Sequence, residues 1–333
     1  MMTKKIGFNF LWMFSYHGAQ PEHANARELD FIAAQGFNFV RIPTDYRFYV
    51  KDFECDKPLE EYIAYIDEYI TEVNRRGMHA SLNIHRAPGY CINRPDIEKY
   101  NLWRDEEAQL GFIALWKFFA DRYKSIPSEL LSFDLVNEPS NSPPTHPCTR
   151  ADHEKVIRRT ISEIHSVDPS REIVIDGFDG GGTALPELAD CGAVHSGRGY
   201  APFQITHYKA EWVKMNLGDF VPTYPGEVAP GQKWDIDSLR EYYRPWREVE
   251  STGCRVHIGE CGVYNKLPNE TALSWFRDFA AVMDENRWGY ALWNFKGSFG
   301  ICEHGRPGTT YTDMNGLKID KAMLDVMLRS LNA

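Results

Sequence analysis

Short β-rich runs alternate with longer amphipathic runs along this whole chain, and no other feature of the sequence constrains its fold as tightly. Strand-like runs fall at Ile6–Phe10, Phe37–Ile42, His79–Ile84, Leu130–Val136, Glu172–Asp176, Gly192–Gly199, Arg255–Glu260 and Gly289–Asn294. Apolar residues at helical spacing follow at Asn25–Gln35, Leu59–Arg76, Ala108–Tyr123, Ala151–Val167, Thr183–Ala189, Ile236–Ser251, Thr271–Asn286 and Ile319–Leu331. Within Leu59–Arg76, for example, Tyr62, Ile63, Ile66, Ile70 and Val73 share a face and Gly77 supplies a stop. Pro43 reads as the end of the second strand, because proline has no amide hydrogen for a ladder. Eight such units in 333 residues, with no linker or low-complexity break, predict an α/β fold. The expected form is one (β/α)8 barrel domain over residues 1–333, with an open doubly wound sheet as the rival.

Composition narrows the partners. A formal net charge of -10 offers no basic footprint for a polyanion, so nucleic acid is not expected. No run of about 18 apolar residues is present, so no membrane span is expected. The start, Met-Met-Thr-Lys-Lys-Ile-Gly-Phe-Asn-Phe, lacks the apolar core of a signal peptide. With seven scattered cysteines and no C-x-x-C, the expectation is a cytoplasmic protein, or a secreted one if a leader has been removed. No ligand cluster points to a metal, and no cofactor is expected. The run Asp179-Gly180-Gly181-Gly182-Thr183 lacks the lysine of a P-loop and reads as a flexible loop. Oligomeric state is not legible.

Two glutamates stand at strand ends. Glu138 lies in Asp-Leu-Val-Asn-Glu-Pro (134–139) after the fourth strand, and Glu260 in Val-His-Ile-Gly-Glu-Cys-Gly (256–262) at the end of the seventh. In a barrel these ends meet across the C-terminal mouth, where active sites sit. Two carboxyls facing each other over a sugar are what glycoside hydrolysis requires. The loops 86–107 and 200–235, rich in Tyr and Trp, open on the same face and suggest stacking for several sugars.

Here the sequence resembles glycoside hydrolase family 5, the family of cellulases and mannanases, over nearly its whole length. Gly-Phe-Asn-Phe-Val-Arg-Ile-Pro (36–43), Leu-Asn-Ile-His (82–85), Asn-Glu-Pro (137–139), Ile-Gly-Glu (258–260) and Ala-Leu-Trp (291–293) match its signatures in order. The resemblance implies Glu138 as acid/base and Glu260 as nucleophile. It implies Arg41, His85, Asn137, Arg198, Tyr200, His207 and Trp293 as residues lining the substrate site. Arg41 would hold the nucleophile, Asn137 would bind a sugar 2-hydroxyl, and Trp293 would lie beneath the cleaved sugar. The sixth strand departs from the pattern, which has His-x-Tyr. One alignment places His207-Tyr208 there; the other, preferred, places Arg198-Gly199-Tyr200 there, with Arg198 standing where histidine would. The reaction implied is retaining hydrolysis of β-1,4-linked glucan or gluco-oligosaccharides, with manno-configured substrates as the alternative. Two rivals differ in kind: a non-catalytic carbohydrate-binding barrel, and a metal-assisted hydrolase or an aldolase using Lys296.

Overall fold

The computed structural model describes residues 4–16, 20–93, 97–141 and 146–333. Eight parallel strands close into a barrel: β1 (Gly7–Asn9), β2 (Phe39–Asp45), β3 (His79–Arg86), β4 (Leu131–Asp134), β5 (Glu172–Asp176), β6 (Val194–Gly199), β7 (Arg255–Cys261) and β8 (Gly289–Leu292). Each strand pairs with its neighbours in sequence, and β8 pairs with β1 to close the ring.

Most of the outer helices form where the apolar spacing predicts them. Glu60–Asn74 buries Ile63, Ile66, Tyr69, Ile70 and Val73 against the barrel. It places Glu60 and Glu61 at the positive end of its dipole and is followed by Gly77 at φ +72°. Arg150–His165 starts on a capping box between Thr149 and Asp152, which satisfies two otherwise orphaned amides.

The barrel interior mixes branched aliphatic side chains, the usual filling, with polar ones, and Val174, Val194 and Val256 are among its lining. Alternate strand positions bring Arg41, Ser81, Ser132, Asp134, Ser196 and Gly259 to its lining, around a cavity of about 190 Å³. Phe39, Glu172, Val194, Arg255 and Gly289, each the first residue of its strand, also line this cavity, so it lies toward the end of the barrel opposite the mouth.

Four local readings change. β2 continues through Pro43 to Asp45; Pro43 pairs with Asn83, whose carbonyl receives the Thr44 hydroxyl at 2.9 Å. Residues 236–251 form two helices, Ile236–Tyr242 and Arg244–Glu250, with Pro245 in the first turn of the second, where its missing amide hydrogen costs nothing. Of the helix expected at Thr183–Ala189 only a single 3₁₀ turn forms, Pro186–Leu188. Ile319 belongs to a hairpin, Tyr311–Met314 with Leu317–Asp320, turned by Asn315 and Gly316, both at positive φ. The last helix, Lys321–Asn332, begins only where the Asp320 carboxylate caps Ala322 and Met323. A second hairpin, Gly226–Ala229 with Gln232–Trp234, lies within the long loop after β6.

Candidate active site

Glu260 reaches the mouth because β7 carries an extra residue. Gly197 pairs with Ile258 but Arg198 pairs with Glu260; on the other side Tyr290 pairs with Ile258 and Leu292 with Cys261. The bulge breaks strict alternation and re-aims the side chain that follows it. Gly259 permits this, since a β-carbon there would stand 2.5 Å from Ser196 Oγ and 3.2 Å from Arg198 Nη1. Glu260 is buried; Oε1 accepts from Arg41 Nη1 at 2.7 Å and Oε2 from the Tyr200 hydroxyl at 3.1 Å.

Glu138 follows β4 in a left-handed conformation at φ +49°, uncommon outside glycine. Its amide donates to Asp176 Oδ2 at 2.9 Å, and its carbonyl accepts the Tyr90 hydroxyl at 2.7 Å. The carboxyl, 19% exposed, accepts from Arg198 Nε at 3.0 Å. Burial first, and then the charge of Glu260, push it up to about 7 against the pull of Arg198. It is thus a carboxylic acid that holds its proton near neutrality.

Arg41 and Arg198 spend their guanidinium groups on the protein. Arg41 donates to Asp134 Oδ2 at 2.5 Å, Asn9 Oδ1 at 3.1 Å and Asn137 Oδ1 at 3.0 Å besides Glu260. Arg198 grips Asp176 with both terminal nitrogens, donates to Asn137 Oδ1 at 2.7 Å, and lies 3.3 Å from Glu260. Both are almost wholly buried, so they meet the carboxylates rather than open solvent. Asn137 Oδ1 is held by the two arginines, while its Nδ2 is buried with no partner among the described residues.

His85 stacks on Trp293 at 5.2 Å and bonds Asn83 through Nδ1 at 3.2 Å. Burial, with Arg41, Arg86 and Arg198 nearby, holds its imidazole well below its ordinary range, so it is neutral. His207 packs edge-on to Tyr200 at 5.0 Å with Nδ1 on the Thr206 hydroxyl, and burial lowers it to about 4. Arg86 turns away from the glutamates toward Phe14, Cys91 and Asp45.

The structure thus joins Arg41, Asn137, Glu138, Arg198, Tyr200 and Glu260 in one hydrogen-bonded network, with the His85–Trp293 stack at the end of β8. Sequence reading missed Asp134, Asp176 and Asn9. Asp134 and Asp176 close β4 and β5, and an acidic residue at the C-terminal end of a barrel strand was the available signal. The glycine-rich run is a packed turn rather than a flexible loop: Thr183 pairs back to Phe178, and Gly180 donates to Pro139. Among the described residues no group of three or more His, Cys, Asp or Glu could hold a metal ion. Lys296 is paired with Glu303 at 2.9 Å.

These features agree with what the chain resembles. Endoglucanase C of Acetivibrio thermocellus is 27% identical over 325 residues, covering 89% of this chain and 92% of that protein. A solved structure described as a glycoside hydrolase superposes with a TM-score of 0.94 at 50% identity, covering 98% of this chain and 99% of that one. Endoglucanase Cel5A from Thermotoga maritima, also solved with mannotriose and with cellobiose, gives a TM-score of 0.75 at 25% identity over 96% of each chain. Residues 4–298 match the family model Cellulase (glycosyl hydrolase family 5). With a closed barrel, the ordered signatures and paired glutamates at its mouth, the chain belongs to glycosyl hydrolase family 5 and is a glycoside hydrolase.

Proposed function

We propose that this protein hydrolyses β-1,4-linked glucan or gluco-oligosaccharides with retention, using Glu260 as nucleophile and Glu138 as acid/base. The observation that carries the reading is the unequal treatment of the two glutamates: both Glu260 oxygens accept hydrogen bonds, while Glu138 is pushed up to about 7. A Glu260 oxygen attacks the anomeric carbon. The bond to the leaving oxygen breaks, and that oxygen takes its electron pair and the Glu138 proton. The ionised Glu138 then removes a proton from water, whose oxygen attacks the same carbon and releases Glu260 as a carboxylate. Asn137 Nδ2, which has no partner among the described residues, is a donor suited to a sugar hydroxyl.

The aromatic loops supply less stacking surface than their composition suggests. Tyr90, Trp103, Tyr208 and Tyr224 are buried packing residues. Trp212 and Phe203 are 58% and 50% exposed. They connect inward through His207 and Phe299 to Tyr200, giving an aromatic ridge from the nucleophile's partner to the surface. A ridge of this kind suits an oligosaccharide. Manno-configured substrates are the second reading, because the Cel5A relative has been solved with mannotriose as well as cellobiose.

The test is chromatography of products from cellotetraose and mannotetraose, with Glu260→Ala as control and NMR of the first-formed anomer. Gluco products of β configuration, absent from the control, are expected. Mannose products alone would move the assignment to the second reading, and an α product would overturn retention.

A further inference from the structure

We propose that Asp176 is a positioning residue for the acid/base, and that with Arg198 it forms a matched pair that sets both the place and the proton affinity of Glu138. The inference rests on the assignment of Glu138 made above. Asp176 is fully buried and does two things with one carboxylate: it accepts the Glu138 amide and it receives Arg198 through both terminal nitrogens. The first contact secures the left-handed backbone from which Glu138 projects, a conformation that costs energy unless its surroundings fix it. The second holds the guanidinium so that Nε points at Glu138 and Nη2 at Glu260.

The arginine also needs room. Gly181, at φ +78°, lies so close that a β-carbon would come within 2.4 Å of Arg198 Cγ. The Tyr243 hydroxyl fixes the Arg198 carbonyl from the outer helix layer at 3.1 Å. Four observations therefore converge on one residue: a bidentate partner, a backbone anchor, a glycine that clears its path, and contact with both glutamates.

The chemistry explains why such a pair matters. In the resting enzyme Arg198 is shared between Glu138 and the Glu260 carboxylate. Once Glu260 is esterified it carries no charge, and Glu138, having lost its proton, is an anion. Arg198 then has one anionic partner of the two, so it stabilises the base form that the second step needs. Asp176 opposes this on Glu138 by like charge and prevents the arginine from depressing the acid too far. Among the described residues the ionisable groups facing Glu138 are Arg198 from β6, Tyr200 just after it, Glu260 from β7, Asp176 from β5 and Tyr90 from the loop after β3. Arg41 and Asp134 lie behind them.

The two members should therefore shift Glu138 in opposite directions. The experiment measures the alkaline limb of kcat/KM on 4-nitrophenyl β-cellobioside for wild type, Arg198→Gln, Asp176→Asn and Gly181→Ala. A ¹³C-carboxyl NMR titration runs alongside, with the Glu138 resonance identified by Glu138→Gln. Arg198→Gln should raise the limb by about one pH unit or more. Asp176→Asn should lower it, and Gly181→Ala should move it upward by less than Arg198→Gln. Should Arg198→Gln fail to fold, the opposed signs of Asp176→Asn and Gly181→Ala carry the same test. Loss of kcat with an unmoved limb and an unmoved resonance, or shifts of one sign throughout, would overturn the pair. A wild-type enzyme inactive on β-glucosides and β-mannosides would instead overturn the acid/base assignment, with the NMR shifts still reporting on the pair.

Discussion

Tyr200 donates its hydroxyl to Glu260 Oε2 at 3.1 Å while Arg41 holds Oε1 at 2.7 Å, so Glu260 is gripped at both oxygens, from β2 and from the residue that follows β6. A hydrogen bond to a charged group contributes about 1.5–3 kcal/mol. Tyr200→Phe should lower kcat by roughly tenfold to a hundredfold. Steady-state kinetics beside an unchanged circular dichroism spectrum would check this, and an unaltered kcat would remove Tyr200 from the mechanism.

The bulge in β7 makes Gly259 a sensitive position. Gly259→Ala sets a methyl group against Ser196 Oγ, and such overpacking costs about 1–3 kcal/mol. The variant should show a lower urea midpoint and reduced kcat. Adding Ser196→Ala removes the nearest clashing atom and should restore part of both; if the double variant is no better than the single, the clash is not the cause.

Glu138 links activity to stability through pH. Its folded-state value is raised from 4.5 to about 7, so the native protein holds this proton more tightly than the unfolded chain. The stabilising contribution of that proton is complete below about 4.5 and is lost as pH rises through about 7. Glu138→Gln cannot ionise and should be the more stable protein at pH 8, by on the order of 3 kcal/mol, with the advantage gone near pH 4. Urea unfolding at the two pH values gives the comparison; equal stability at both would show that Glu138 ionises in the folded protein without penalty.

Trp212 stands at the exposed end of the aromatic ridge. Trp212→Ala should raise KM for longer oligosaccharides by about tenfold, the loss of one stacking contact, and leave aryl cellobioside turnover nearly unchanged. A uniform loss on short and long substrates would place Trp212 in the support of Tyr200 instead.

The barrel was legible because its units repeat one physical rule, a buried strand followed by a helix with one apolar face. The rule failed where local chemistry overrode it. Pro43 looked like a stop, yet the strand runs on, because the Thr44 hydroxyl supplies a donor to the Asn83 carbonyl. Residues 236–251 had continuous apolar spacing, and the break at Tyr243 ahead of Pro245 was not read from it. The two glutamates were visible as carboxylates at strand ends. Asp134 and Asp176 stood at equivalent places but had no motif of their own, and their importance comes from partners far away in sequence. The aromatic loops misled in the opposite direction: composition counts Tyr90 and Trp103 as binding surface, whereas burial makes them core.

The clearance at Gly181 bears on how such a site can change. An alanine there would come within 2.4 Å of Arg198 Cγ, so arginine at 198 tolerates glycine and little else at 181. A stepwise path between histidine and arginine at this position therefore has a required order. The space must open before the larger side chain enters, and it must not close while that side chain remains. A side chain at position 181 would press first on Arg198, so this position acts as a ratchet on the residue that touches both glutamates.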